Sequence, residues 1–204
     1  MNTALKQYIS ESLTEIDSLP AERKELLNEL AAFIKEELSA GNPVALIFIC
    51  THNSRRSHLS QVWAQTAAAH FGIDNIRTYS GGTEATAFHP NAVAALQRAG
   101  FEIEKTTDDA NPLYQVHIDD NEEPMTCFSK VYDDDPNPTQ DYCAVMTCSS
   151  ADAGCPVVVG CKKRIAVLYD DPKKFDGTDR ESEAYDERCR QISVEQLFIF
   201  SQVA

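Results

Sequence analysis

Basic charge is scarce in this chain: its 204 residues carry 18 Lys and Arg against 32 Asp and Glu, a formal charge of −14. That balance argues against a general nucleic-acid or anionic-membrane surface, so a positive site for an anion must be local. Long apolar runs are missing too, and the longest is far too short to span a bilayer. The opening residues are mixed acidic and polar, unlike a signal peptide, and a cytoplasmic location is expected. No Cys-x2-Cys pair occurs, which speaks against a zinc site, and no metal or cofactor is expected. The seven cysteines are an odd number and fit a disulfide framework poorly. In a cytosolic chain such cysteines are catalytic, metal-binding or inert. What is present suffices for a globular core, since 43% of the residues are hydrophobic.

Residues 1–42 read as an N-terminal helical extension. Leu5, Tyr8, Ile9, Leu13 and Ile16 form one apolar stripe, and Leu26, Leu27, Leu30, Phe33, Ile34 and Leu38 a stronger one. Pro20 suits a first helical turn, while Gly41 and Pro43 mark a stop. From residue 43 to 204 strands alternate with helices. Val44–Ile49, Ile76–Tyr79, Tyr142–Thr147 and Arg164–Tyr169 read as strands; Ser57–Phe71, Asn91–Ala99 and Glu181–Phe200 read as helices. A capping box, Thr178-x-x-Glu181, is expected to open the last of these. Such alternation implies an α/β three-layer sandwich around a central parallel four-stranded sheet. Residues 104–140 break the rhythm with two alternating segments around an acidic turn, and read as a β-hairpin insertion.

Cys50 ends the first strand, and "CTHNSRRS" runs on into a helix. In α/β sheets ligands sit at the carboxyl ends of strands. Thr51, His52, Asn53, Ser54 and Arg55 can curl so that their N–H groups converge, backed by the positive end of the helix, and make an anion nest. Arg56 adds a planar fork matched to a tetrahedral oxyanion, and Ser57 a hydrogen bond to the sulfur. The same field suits a thiolate, which makes Cys50 the expected nucleophile. A plain buried cysteine at a strand end explains neither Arg56 nor the polar loop.

The Cys-x5-Arg-Ser loop, with its flanking strand and helix, resembles that of the low-molecular-weight protein tyrosine phosphatase superfamily, and within it the thioredoxin-coupled arsenate reductases. The family loop reads Cys-Thr-Gly-Asn-Ser-Cys-Arg-Ser. "YSGGTEATAFHPNAVAALQRAGFEI" is similar to the family's Ser-Ala-Gly-Thr segment and following helix, and "YDDP" to its acid loop, which makes Asp171 the implied general acid. The resemblance covers roughly Val44 to Asp176 outside the hairpin region, with the last helix also fitting. "VMTCSSADAGCP" resembles the reductases' pair of further cysteines. It implies that Cys148 attacks Cys50 after arsenic has bonded to it, and that Cys155 then attacks Cys148. A strand-end thiol and a loop thiol of no further role are the plainer reading of that pair. The family's tyrosine phosphatases usually carry aromatic residues after Asp-Pro, where this chain has Lys173 and Lys174. Three positions depart from the pattern: His52 replaces Gly, Arg55 replaces a second Cys, and Gln61 stands where some reductases hold potassium with Glu.

The expectation is therefore an arsenate reductase acting on a phosphate-type oxyanion through Cys50, Arg56, Asp171, Cys148 and Cys155, with thioredoxin as reductant. A tyrosine phosphatase with a phosphocysteine intermediate is the alternative. A non-enzymatic oxyanion or redox sensor, with the helical pair contacting a partner, is the third. Cys143 and Cys189 read as core thiols, Cys161 as exposed, and Cys127 as lying on the hairpin. His58, His70, His89 and His117 read as surface or cap residues.

Overall fold

The computed structural model describes residues 1–119, 123–154 and 157–204. Helix α1 (Thr3–Thr14) is followed by a 3-10 turn (Ile16–Ser18) and α2 (Ala21–Ser39). Then come β1 (Val44–Cys50), α3 (Arg56–His70), β2 (Ile76–Gly82) and α4 (Pro90–Arg98). Three short strands follow, β3 (Glu102–Lys105), β4 (Tyr114–His117) and β5 (Met125–Cys127). The chain closes with β6 (Tyr142–Met146), α5 (Ser149–Gly154), β7 (Cys161–Ala166), a 3-10 turn (Pro172–Phe175) and α6 (Glu181–Ser201).

The main sheet runs β2-β1-β6-β7, all parallel, as the alternation of strands and helices implies. β1 is central, which is why nearly every residue in it is apolar. The strand's two faces serve different cores. Val44, Leu46 and Phe48 join the helices α1, α2, α3, α4 and α6 in the larger cluster. Ile47 and Ile49 face a smaller one with Tyr142, Ala144, Met146, Ala151 and Val158, which makes α5 and the irregular chain around it the third layer. Both N-terminal stripes face the chain's own core. Leu5, Ile9, Leu27, Leu30 and Ile34 are buried there, Tyr8 stacks on Trp63 at 5.4 Å, and Ser12 meets Ser193 at 3.0 Å.

Three details differ from expectation. The hairpin at 104–140 is present as β4 and β5, but β3 pairs beside β4, with Ile103 opposite Val116, so the second sheet has three strands. The last parallel strand is Cys161–Ala166 and not Arg164–Tyr169: it is an edge strand whose Lys162 and Lys163 are exposed, so its start lacks an apolar signature. Beyond Ala166 the chain still bonds beside β6, Val167 N to Met146 O at 2.9 Å and Tyr169 N to Thr147 O at 3.1 Å, and Tyr169 O there meets Arg56. The capping box is not formed: α6 begins at Glu181, its N-cap is Arg180 without a side-chain cap, and Thr178 and Glu181 bond within the turn before it. Glu181 accepts from Gly177 N at 2.6 Å, and Thr178 Oγ1 accepts from Arg180 N at 3.3 Å.

Candidate active site

The loop of residues 50–57 sits at the carboxyl edge of β1, and its shape is held from outside. Thr51 O accepts from Glu84 N at 2.9 Å, Ser54 O from His89 N at 2.9 Å, and His52 O from Ser129 Oγ at 2.9 Å and Thr86 Oγ1 at 3.0 Å. Carbonyls bonded outward are what a loop with converging N–H groups requires. Asn53 turns the chain with φ of 43°, a left-handed value that asparagine tolerates. Its side chain is committed at both ends: Oδ1 accepts from Lys130 N at 2.9 Å, and Nδ2 donates to Ser57 Oγ at 2.8 Å. Ser57 Oγ in turn lies 3.1 Å from Cys50 Sγ, so the Cys50 thiol is tied to the first turn of α3.

Gly82 lets β2 pass close behind this loop. A Cβ there would stand 2.7 Å from Asn53 N and from Thr51 O and 2.4 Å from Glu84 O, all backbone atoms that cannot swing aside. Gly82→Ala is expected to cost about 1–3 kcal/mol of stability by overpacking and to weaken oxyanion binding, because the loop itself must move. Thermal melts and phosphate titration check it. Loss of stability with unchanged phosphate affinity would separate Gly82 from the loop's shape.

Arg56 reaches across to the segment after β7. Its Nη1 donates to Tyr169 O at 3.0 Å and its Nη2 to Asp171 Oδ2 at 2.7 Å. Its Nε is buried without a hydrogen-bond partner, an uncommon state for a guanidinium and a ready donor for an oxyanion. Asp171 also caps the short turn after it, accepting from Lys173 N at 3.1 Å. Asp170 points outward, 3.6 Å from Lys174. Of the two carboxylates in "YDDP", the one facing the loop is Asp171.

Cys148 follows β6, the neighbour of β1. Thr147 N donates to Ile49 O at 2.7 Å, which brings the next residues of the two chains side by side. Cys148 Sγ lies 3.4 Å from Thr51 Oγ1 and accepts from Ala151 N at 3.4 Å, and the residue is buried. Arg164 holds α5 from below, with Nη2 2.7 Å from Asp152 O. The loop residues 50–57, Asp171 and Cys148 thus share one edge of the sheet; Cys155 lies outside the described residues.

Arg55 follows a different course. Its guanidinium turns from the loop to donate to Tyr185 OH at 2.8 Å and to Asp176 at 3.5 Å, and Tyr185 OH donates to Asp176 Oδ1 at 2.9 Å. His89 caps α4 through Nδ1 and stacks on Tyr185. Burial, reinforced by Arg55, lowers the pKa of His89, and burial pushes Tyr185 up to about 12. His52 leans outward to Glu84 at 3.0 Å.

Two neighbours of the loop were invisible in the sequence. Lys130 is buried behind Asn53, and burial pulls its pKa to about 8. His58 is fully buried and not a surface residue: Nδ1 meets Ser80 Oγ at 3.2 Å and the ring stacks on Phe88 at 4.0 Å. Burial first, and the Lys130 charge second, hold its pKa well below the usual imidazole value. Neither a lone histidine nor a lone lysine carries a sequence pattern that announces a buried place. Cys127, Cys143 and Cys189 are buried, and burial raises each to about 12. Cys161 is half-buried at the start of β7.

Residues 45–119 match the model of the low molecular weight phosphotyrosine protein phosphatase family. An arsenate reductase of Bacillus licheniformis is 31% identical over 157 residues, covering 77% of this chain and 94% of that protein. This chain belongs to that phosphatase superfamily and to its arsenate reductase branch. The solved structures agree on the fold. A low molecular weight phosphotyrosine phosphatase from Vibrio cholerae has a TM-score of 0.52 at 15% identity, covering 78% of this chain and 95% of that one. An arsenate reductase in the phosphate binding state has a TM-score of 0.51 at 18% identity, covering 79% and 99%. No helix among the described residues is long and apolar enough to cross a membrane.

Proposed function

We propose that this protein reduces arsenate to arsenite through Cys50, Cys148 and Cys155, with a thioredoxin-type dithiol protein restoring the thiols. The observation that carries the reading is Cys148, buried against Thr51 beside the nucleophile's loop and free of any disulfide. Arsenate occupies the loop, with Arg56 and the N–H groups around its oxygens. The Cys50 thiolate bonds to arsenic while Asp171 protonates the oxygen that departs as water. The Cys148 thiolate then attacks Cys50 Sγ. The sulfur–arsenic bonding pair stays on arsenic, which leaves as arsenite, and two sulfurs are oxidised to a disulfide. Cys155 displaces Cys50 from Cys148, and the external dithiol reduces the Cys148–Cys155 bond.

Hydrolysis of an aryl phosphate needs only Cys50, Arg56 and Asp171, so a tyrosine phosphatase is the second reading. The surroundings favour it less. The cavity beside the loop, about 510 Å³, is lined by His52, Ser54, Arg55, His89 and Lys173 among others, with no Phe, Tyr or Trp to stack on a phenol. Phe175, beyond Asp-Pro, is engaged by Arg180 and Lys174, 4.9 and 5.3 Å from its ring centre. Arsenate-dependent oxidation of thioredoxin, measured beside aryl phosphate hydrolysis, separates the two readings. Turnover of the ester with no thioredoxin oxidation would sink the first.

Asp171→Asn is expected to slow either reaction by ~10²–10⁴-fold, the usual contribution of a positioned acid, with a smaller loss for good leaving groups. Asp170→Asn is the control and should be mild. Initial rates on esters of graded leaving-group basicity decide it; the reverse ranking of the two variants would move the acid to Asp170.

A further inference from the structure

The segment carrying Asp171 is gripped from two sides. On one side is Arg56, through Tyr169 O and the Asp171 carboxylate. On the other is Arg23, in the first turns of α2. Arg23 Nη2 donates to Leu168 O at 3.2 Å, and its guanidinium lies 5.2 Å from the centre of the Tyr169 ring. Arg23 is itself fixed by a fork on Glu195 of α6, with Nε to Oε1 at 2.9 Å and Nη2 to Oε2 at 2.7 Å. The Glu195 side chain is 1% exposed and takes a third bond from Gln191 at 3.0 Å. A partly buried two-pronged arginine–carboxylate pair is directional, and lysine cannot reproduce it. The packing of α2 is supplied elsewhere on the helix, by Leu27, Leu30, Phe33 and Ile34.

We infer that Arg23 is a positioning residue for the active site: through Leu168 and Tyr169 it sets where the Asp171 carboxyl stands. The N-terminal helical pair then takes part in the chemistry as well as in the core. The inference rests on the reading of Asp171 as general acid. A group displaced by about 1 Å from its working position costs on the order of 10²-fold in rate.

The test is a double-mutant cycle on the first chemical step, the single-turnover loss of the Cys50 thiol at saturating arsenate. Arg23→Met should slow that step by about 10- to 100-fold, with arsenate affinity in a Cys50→Ser background changed far less. Arg23→Lys, which keeps the charge and loses the fork, should fall between. In an Asp171→Asn background Arg23→Met should add nothing, because the acid it positions is gone. An equal slowing in both backgrounds marks a merely structural role and overturns the inference, as does an unslowed Arg23→Met. If Arg23→Met does not fold, Arg23→Lys takes its place in the cycle: slowing confined to the Asp171 background supports the inference, and equal or absent slowing overturns it. A neutral Asp171→Asn removes the acid assignment and the inference with it. A damaging Asp171→Asn with an additive Arg23→Met removes the inference alone.

Discussion

Cys50→Ser is expected to abolish turnover, by on the order of 10⁴-fold or more, while oxyanion binding survives. The hydroxyl that replaces the thiol can keep the contact to Ser57 Oγ, now 3.1 Å from the sulfur. The loop's scaffold does not depend on the sulfur: Asn53 is held by Lys130 N and Ser57, and the loop carbonyls by Glu84, His89, Ser129 and Thr86. Arg56 likewise takes its position from Tyr169 and Asp171. Phosphate or arsenate titration of the variant, beside its residual rate, checks both halves. Arg56→Lys should fail differently. It keeps one charge but cannot bond Tyr169 O and Asp171 together, so affinity and rate drop jointly. Appreciable turnover by Cys50→Ser would place the chemistry elsewhere.

Cys148→Ser carries the second large effect, and its value lies in selectivity. Arsenite release should stop after the first adduct, because no thiol remains beside Thr51 to attack Cys50. Aryl phosphate hydrolysis should persist within a small factor, since water resolves a phosphocysteine with Asp171 alone as partner. The substitution is mild for the fold: serine suits the start of α5, where Cys148 Sγ now accepts from Ala151 N. Loss of both activities together would mean that Cys148 acts through the fold. Retention of both would favour the phosphatase reading.

Much of the architecture could be read from the chain because the signals were local. A strand of seven apolar residues ending in a cysteine, a polar loop and a helix are contiguous, and their spacing fixes the loop, Cys50 and Arg56 at once. Asp171 and Cys148 were legible from short motifs that resemble the family's. What escaped reading depends on distant residues meeting. Arg55, Tyr185, Asp176 and His89 come from separate parts of the chain, and no spacing announces their hydrogen bonds. Lys130 and His58 are polar types in buried places, where pattern reading assigns them to the surface. β3 is exposed along much of its length, and its place is decided by pairing with β4. The start of β7 is hidden for the same reason, because an edge strand with lysines carries little apolar pattern.

The relay is tested most directly by trapping its first disulfide. Cys155→Ser, reacted with arsenate for a single turnover without external reductant, quenched by thiol alkylation and digested, should yield a Cys50–Cys148 cross-linked peptide and one equivalent of arsenite. Neighbouring strand ends place the two residues within the reach of about 7 Å between Cα atoms that a disulfide needs, given a modest movement of the loop. A digest in which Cys148 is recovered alkylated and arsenite is absent, from protein that still hydrolyses aryl phosphate, would contradict the account.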